Sequence, residues 1–129
     1  MNENVETVKK LYTAFGTGNL QGALELVDAE IEWAIPGVAP WSGEGRGRAF
    51  VARFLESLGT TANLKVFEPR RFLADGDTVA VVGYEEGEVR RTGATWKADF
   101  THLFTVVAGK ITRHREFVDT YAIGEALRA

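Results

Sequence analysis

The apolar positions follow a helical period in the first part of the chain and an alternating one from Asn63 onward. In NENVETVKKLYTAFGTGN, Val5, Val8, Leu11, Tyr12 and Phe15 recur on one helical face; Asn2 or Asn4 can cap the start, and Gly16 and Gly18 can end it. Asn19 can cap a second, shorter helix through LQGALELV, whose Leu20, Ala23, Leu24 and Val27 again share a face. EIEWAIPG reads as extended and stops at Pro36–Gly37. A Gly/Pro-rich loop, PGVAPWSGEGRG, then leads to a third helix, RAFVARFLESL, with Phe50, Val51, Phe54, Leu55 and Leu58 as its apolar stripe.

Four extended segments follow, LKVFEPRRFLA, TVAVVGYEEGEVRR, TWKADFTHLFTVV and KITRHREFVDTYAI, joined by turn sequences at Asp75–Gly76–Asp77, Thr92–Gly93 and Ala108–Gly109. Sequential strands joined this tightly must be antiparallel. Pro69 inside the first of them predicts an edge position or a bulge. Helices followed by an antiparallel meander make an α+β fold with the helices on one side of the sheet, one domain over residues 1–129, without repeats or linkers.

Composition narrows the function. An apolar content of 45% with 26% charged residues is that of an ordinary soluble globular protein. The net charge of −3, with the arginines scattered, gives no reason to expect nucleic acid as a partner. The absence of cysteine excludes disulfides, thiolate metal sites and thiol nucleophiles. The polar start MNENVETVKK and the lack of a long apolar run lead us to expect a cytoplasmic protein with no membrane association.

The last extended segment poses the functional question. Arg113, Arg115, Phe117 and Asp119 alternate with Thr112, His114, Glu116 and Val118, and neither set is plainly apolar, so periodicity does not say which faces inward.

AFGTGNL, EIEWAIPG, WSGEGRGRAFVARFL and HLFTVVAGKITRHREFVDT together resemble the SnoaL-like and ketosteroid-isomerase-like branch of the nuclear transport factor 2-like superfamily, over nearly the whole chain. The resemblance implies a cone, or cystatin-like roll: a strongly curved antiparallel sheet packed on the three N-terminal helices, with a pocket inside. The family includes ketosteroid isomerases, polyketide cyclases, epoxide-hydrolase-like enzymes and proteins that only bind, and many members are homodimers. In the cyclases and epoxide hydrolases an acid sits six residues after the lysine of the GK turn, which here is Glu116. His114, Glu116 and Val118 should then face inward, with Ala98, Phe100, His102, Phe104 and Val106 on the preceding strand. If Val107 and Ile111 pair at the turn, His102 lies directly opposite Glu116.

Such a pair can do acid–base work. An apolar cone raises a carboxyl pKa toward neutrality and a neighbouring imidazolium lowers it again. A glutamate tuned in this way can take a proton from carbon beside a carbonyl or activate water, with the histidine orienting it or donating to an oxyanion.

Carried over residue by residue, the resemblance is incomplete for two of the reactions. The ketosteroid isomerases' oxyanion tyrosine falls at Leu11, one position from Tyr12, whose hydroxyl is expected at the rim; their aspartate base falls near Ala34, and their second oxyanion donor at His102. The epoxide-hydrolase acids fall at Glu116 and Glu85, but the arginine between them falls at Gly83, and the water-holding tyrosine and asparagine fall near Glu32 and Ala34. The cyclases leave the fewest contradictions.

The resulting expectation is an acid–base enzyme of cyclase or isomerase type acting on a small hydrophobic molecule, with a non-catalytic ligand carrier and an epoxide-hydrolase-like enzyme as alternatives. Its catalytic residues would be Glu116, His102 and Glu85, and its substrate contacts Tyr12, Trp41, Phe54, Phe100, His114 and Val118. Trp41 lies in the loop that closes the mouth of family cones, whereas Trp33 reads as core or interface. Asp119 reads as an ion-pair partner or the cap of the last turn, TYAIGEAL, and GEGRG around Arg46 as a helix lead-in. His102, His114 and Glu116 lack a dense ligand motif, so neither a metal nor a cofactor is expected. Thr101, Leu103, Thr105, Arg113, Arg115 and Phe117 would form the outer face, where a homodimer is expected to pair.

Overall fold

The computed structural model describes residues 2–129. The elements run α1 (Glu3–Gly16), α2 (Leu20–Leu26), β1 (Val27–Ile35), β2 (Gly43–Arg46), α3 (Arg48–Thr61), β3 (Ala62–Asp75), β4 (Thr78–Val89), β5 (Thr95–Val107), β6 (Lys110–Val118) and α4 (Thr120–Arg128). The six strands form one open sheet in the order β2-β1-β6-β5-β4-β3.

Local chemistry sets these boundaries. The Asn2 side chain accepts from the Val5 N–H at 3.1 Å and starts α1, which buries Val8, Leu11 and Ala14. Asn19 does the same for α2 through Gly22. On β4 and β5 buried residues alternate strictly with half-buried or exposed ones, and Trp96, Ala98, Phe100, His102, Phe104 and Val106 form one buried row. In α3 only Val51 is buried, while Phe54, Leu55 and Leu58 are half-buried. An apolar stripe left half-open on a helix that faces a sheet marks a hollow between the two. No described helix is long and apolar enough to cross a membrane.

The structure departs from the sequence reading in four places. The loop after β1 contains a strand, β2, paired antiparallel with β1; GEGR has no apolar alternation to reveal it, and Gly45 is there because a Cβ would sit 2.3 Å from the Phe50 ring. The sheet is mixed, since β1 runs parallel to β6 at the far end of a long crossover. The last extended segment stops at Val118. Asp119 accepts from the Ala122 N–H at 2.9 Å and starts a fourth helix, in which Ile123 and Ala126 are buried.

The fourth departure decides which residues face inward. Val107 pairs with Lys110, and Val106 with Ile111, around a two-residue turn in which Ala108 and Gly109 both have positive φ, so the expected pairing of Val107 with Ile111 does not form. The register then shifts by one: Thr105 pairs with Arg113, leaving Thr112 as the extra residue of a bulge. Without that residue His102 would face Arg115. With it, His102 faces Glu116, and β6 presents Ile111 inward before the bulge and His114 and Glu116 after it. Neither alternating set of β6 reads as apolar because the inward parity changes within the strand. Pro69 is both at an edge and beside a bulge, since β3 ends the sheet and its register shifts between Pro69 and Arg71.

Candidate functional site

Between the inner face of the sheet and helices α1, α3 and α4 lies a cavity of about 410 Å³, within the usual range for small-molecule sites. Its walls are largely aromatic and aliphatic: Phe15, Trp33, Trp41, Phe54, Phe67, Trp96 and Phe104, with Ile35, Leu55, Leu58, Leu64 and Ile123. The exposed members of the lining, Gly16, Gly59, Asn63, Phe67 and Arg90, mark the mouth at the C-terminal ends of α1 and α3 and the adjoining β3 and β4 ends.

Three side chains from three elements meet on one wall. His102 Nε2 lies 2.9 Å from Glu116 Oε2, and His102 Nδ1 lies 2.8 Å from the Tyr12 hydroxyl. Phe100 stacks on the His102 ring at 4.2 Å between centroids and fixes its plane. The Tyr12 ring is held by Phe67, Phe72 and Phe104 at 5.7, 6.2 and 6.0 Å. Burial and the negative charge of Glu116 push the Tyr12 hydroxyl pKa far up, so this group stays protonated.

Glu85 is buried in the same cavity, and the sequence of β4 accounts for its burial. Gly83 and Gly87 flank it on the inward face. Their cross-strand partners Phe100 and Trp96 lie over the missing side chains, where a Cβ would come within 2.3 and 2.2 Å of the respective rings. Trp96 Nε1 donates to Glu85 Oε2 at 2.8 Å. Burial first, with the charge of Glu116 adding to it and the Trp96 bond opposing it, pushes the Glu85 carboxyl up to about 7. One carboxylate bonded to an imidazole and one carboxyl titrating near neutrality therefore line one apolar chamber.

His114 stacks on Trp33 at 4.0 Å and meets the edge of His102 at 5.1 Å. Its Nδ1 and the Trp33 Nε1 are buried without a hydrogen-bond partner. Burial, with a smaller contribution from His102, holds the His114 pKa well below the usual imidazole value, so the ring is neutral.

Of the expected site residues, Glu116, His102, Glu85, Tyr12, Trp41, Phe54 and His114 line this cavity. Two do not. Phe100 lies behind His102, flat over Gly83, and packs the wall from the back. Val118 ends β6 beside the loop Pro36–Ser42 and lines a small adjoining recess with Gly37 and Thr120, which shares Trp41, Glu116 and Ile123 with the cavity. Two other expectations also change, those for the Tyr12 hydroxyl and for Trp33. The Tyr12 hydroxyl is inside the site, because α1 crosses the sheet so that position 12 looks at β5. Trp41, in the loop between β1 and β2, is buried against Trp96 at 6.0 Å and forms a wall of the cavity. Trp33 lines the cavity, and the alternation of Ile31, Trp33 and Ile35 in β1 was the signal that it points inward. Asp119 caps α4, and Arg46 belongs to β2, paired with Glu32 at 3.2 Å. Among the described residues no group of three or more histidine and acidic side chains could hold a metal ion.

The model of the SnoaL-like domain matches residues 8–114. No curated protein matches the chain. An NTF2-like protein of Burkholderia xenovorans LB400 is 38% identical and superposes with a TM-score of 0.90 over 96% of this chain and 95% of that one. TerC, crystallised with polyporic acid, is 30% identical, with a TM-score of 0.85 over 99% of this chain and 100% of that one. An NTF2-like protein of Burkholderia thailandensis E264 is 27% identical, with a TM-score of 0.90 over the full length of both chains. With the cavity enclosed by the sheet and helices of this fold, and with most of its length matched, the chain belongs to the SnoaL-like domain family of the NTF2-like superfamily.

Proposed function

We propose that this protein is an acid–base enzyme that moves a proton on a small aromatic or polyketide-like carbonyl compound, in the manner of a cyclase or isomerase. The observation that carries this reading is the placement of Glu116, bonded to His102, which in turn is bonded to Tyr12, in one aromatic-walled cavity with a second carboxyl, Glu85, whose pKa is pushed up to about 7. Glu116 is the base. One of its oxygens is held by His102, and the other is free to take a proton from the carbon beside a carbonyl. Glu85 is the acid, since a carboxyl with a pKa of about 7 holds and releases a proton at neutral pH. The apolar walls strengthen both interactions by excluding water. The crystallisation of its relative TerC with polyporic acid supports a small organic ligand for the cavity here.

Solvent exchange tests the reading without knowledge of the final product. In D2O the protein should incorporate deuterium beside the carbonyl of at least one aryl ketone or polyketide-like ester from a panel, followed by NMR. Glu116→Gln should slow that exchange by about 10²–10⁴-fold, the usual worth of a general base. Exchange at the buffer rate across the panel, or an undiminished rate in Glu116→Gln, would overturn it.

A further inference from the structure

Among the described residues Arg90 is the only lysine or arginine lining the cavity, and it stands at the mouth. It follows the last residue of β4, and its position is pinned at two points to the end of α3. Its main-chain N–H donates to the Thr61 carbonyl at 2.9 Å, and its Nε–H donates to the Gly59 carbonyl at 2.8 Å. Satisfying the last carbonyls of a helix is a structural task that an arginine performs with one edge of its guanidinium. The other edge, the two Nη groups, forms no ion pair or hydrogen bond among the described residues, and Arg90 differs from the other arginines without an ion pair in lining the cavity. Asn63 also lines the mouth, and its side-chain amide has no hydrogen-bond partner among the described residues. The charged groups facing the cavity are thus arranged along an axis, with Glu116 and Glu85 inside and a fixed cation at the entrance.

We infer that the ligand of this cavity carries a carboxylate, which the free edge of Arg90 receives at the mouth while the apolar body of the ligand lies against the aromatic walls. The inference rests on the cavity reading above and adds the substrate class, an aromatic or polyketide acid. A planar fork already immobilised through Nε suits a planar two-oxygen anion. The same polarity orients the ligand: the carboxylates repel its anionic end, so its neutral carbonyl end goes inward to Glu116 and Glu85. Glu85 is protonated below about pH 7 and adds little repulsion there.

All three tryptophans of the chain line the cavity, so their fluorescence reports occupancy independently of turnover. Biphenyl-4-carboxylate and its methyl ester are titrated at pH 6 and low salt into the wild type, Arg90→Gln and Arg90→Lys. The wild type should bind the acid about 5–20-fold more tightly than the ester, Arg90→Lys should keep part of that preference, and Arg90→Gln should abolish it while leaving ester affinity unchanged. Unchanged ester affinity shows that the variant is folded with its cavity intact. Equal binding of acid and ester by the wild type, or an acid preference that survives in Arg90→Gln, overturns the role of Arg90 and leaves the acid–base reading standing. Binding of neither probe overturns this inference as well, and loss of deuterium exchange in the wild type is the separate result that removes the acid–base reading.

Discussion

His102 and Glu116 are residue-for-residue partners across β5 and β6, and their side chains meet at 2.9 Å on the inner face of the sheet. A carboxylate can only accept, so His102 Nε2 carries the hydrogen of that bond. In the neutral ring Nδ1 is then an acceptor, and Tyr12 must donate to it across 2.8 Å. Protonating the ring reverses this one bond: Nδ1–H donates to the Tyr12 oxygen, and the tyrosine proton becomes available to a ligand. A single proton on His102 thus converts Tyr12 from a group whose proton is occupied into a hydrogen-bond donor facing the cavity.

Tyr12→Phe isolates that proton. The ring contacts with Phe67, Phe72 and Phe104 are kept, so folding and ligand binding should be nearly unchanged, with about 1 kcal/mol lost because Nδ1 is left without its partner. Turnover should fall by about 10²-fold, the worth of an oxyanion-type donor. A near wild-type rate in a variant that binds ligand normally would remove Tyr12 from the chemistry.

The outer face of the sheet is expected to hold a second copy of the chain. Val82, Thr101 and Phe117 stand in one row across β4, β5 and β6, next to the row of Ala80, Leu103 and Arg115. Leu103 and Phe117 are 39% and 52% exposed, apolar anchors within a polar surround of the kind interfaces use. Light scattering should give a dimer mass at micromolar concentration, and the double substitution Leu103→Glu with Phe117→Glu should give a folded monomer. A monomeric wild type at that concentration would reject this interface.

Much of this arrangement was legible in the chain, and what was not has specific causes. The helices α1 and α3 and the strands β3 to β5 follow their apolar periods, and the pairing of His102 with Glu116 followed from parity and a resemblance. The route to that pairing was different, because a bulge at Thr112 leaves no mark in residue type and yet reverses the facing of everything after it. Strand β2 was hidden because an edge strand of Gly, Glu, Gly and Arg has no apolar alternation. The position of the Tyr12 hydroxyl depends on how α1 crosses the sheet, a tertiary angle that no local pattern encodes. Phe100 and Val118 were assigned by inward parity alone, which separates the faces of a strand but does not tell a cavity wall from the packing behind it.

Gly87 is expected to be needed for its missing side chain. A Cβ there would lie 2.2 Å from Trp96 Cζ2, so Gly87→Ala must displace the ring whose Nε1 holds Glu85. The overpacking should destabilise the fold by about 1–3 kcal/mol in denaturant unfolding. Gly59→Ala is the contrasting case, with nothing within 4 Å of its Cβ and a helical position, and it should be neutral or stabilising by up to about 1 kcal/mol. Equal effects from the two substitutions would show that Trp96 is not held against the strand at Gly87.

The last prediction concerns the stability that Glu85 withholds from the fold. Its carboxyl pKa rises from 4.5 to about 7 on folding, chiefly through burial. The folded state therefore binds this proton more tightly than the unfolded chain, and its advantage is complete below about pH 4.5, shrinks as pH rises, and is gone above about pH 7. The difference between the two pKa values corresponds to an upper bound of about 3 kcal/mol by which the ionised group weakens the fold at pH 8. Glu85→Gln retains an oxygen for the Trp96 N–H and has no charge to bury, so it should raise unfolding free energy at pH 8 by up to that amount and leave it nearly unchanged at pH 4.5. His114 titrates in the opposite sense: its folded pKa is depressed, and the stability it contributes is lost as pH falls below the ordinary imidazole range. That loss is common to wild type and variant and cancels in their difference. Chemical denaturation of both proteins at the two pH values measures it directly, and an equal gain at pH 4.5 and pH 8 would show that the substitution acts through packing and that Glu85 is not held near neutrality by the cavity.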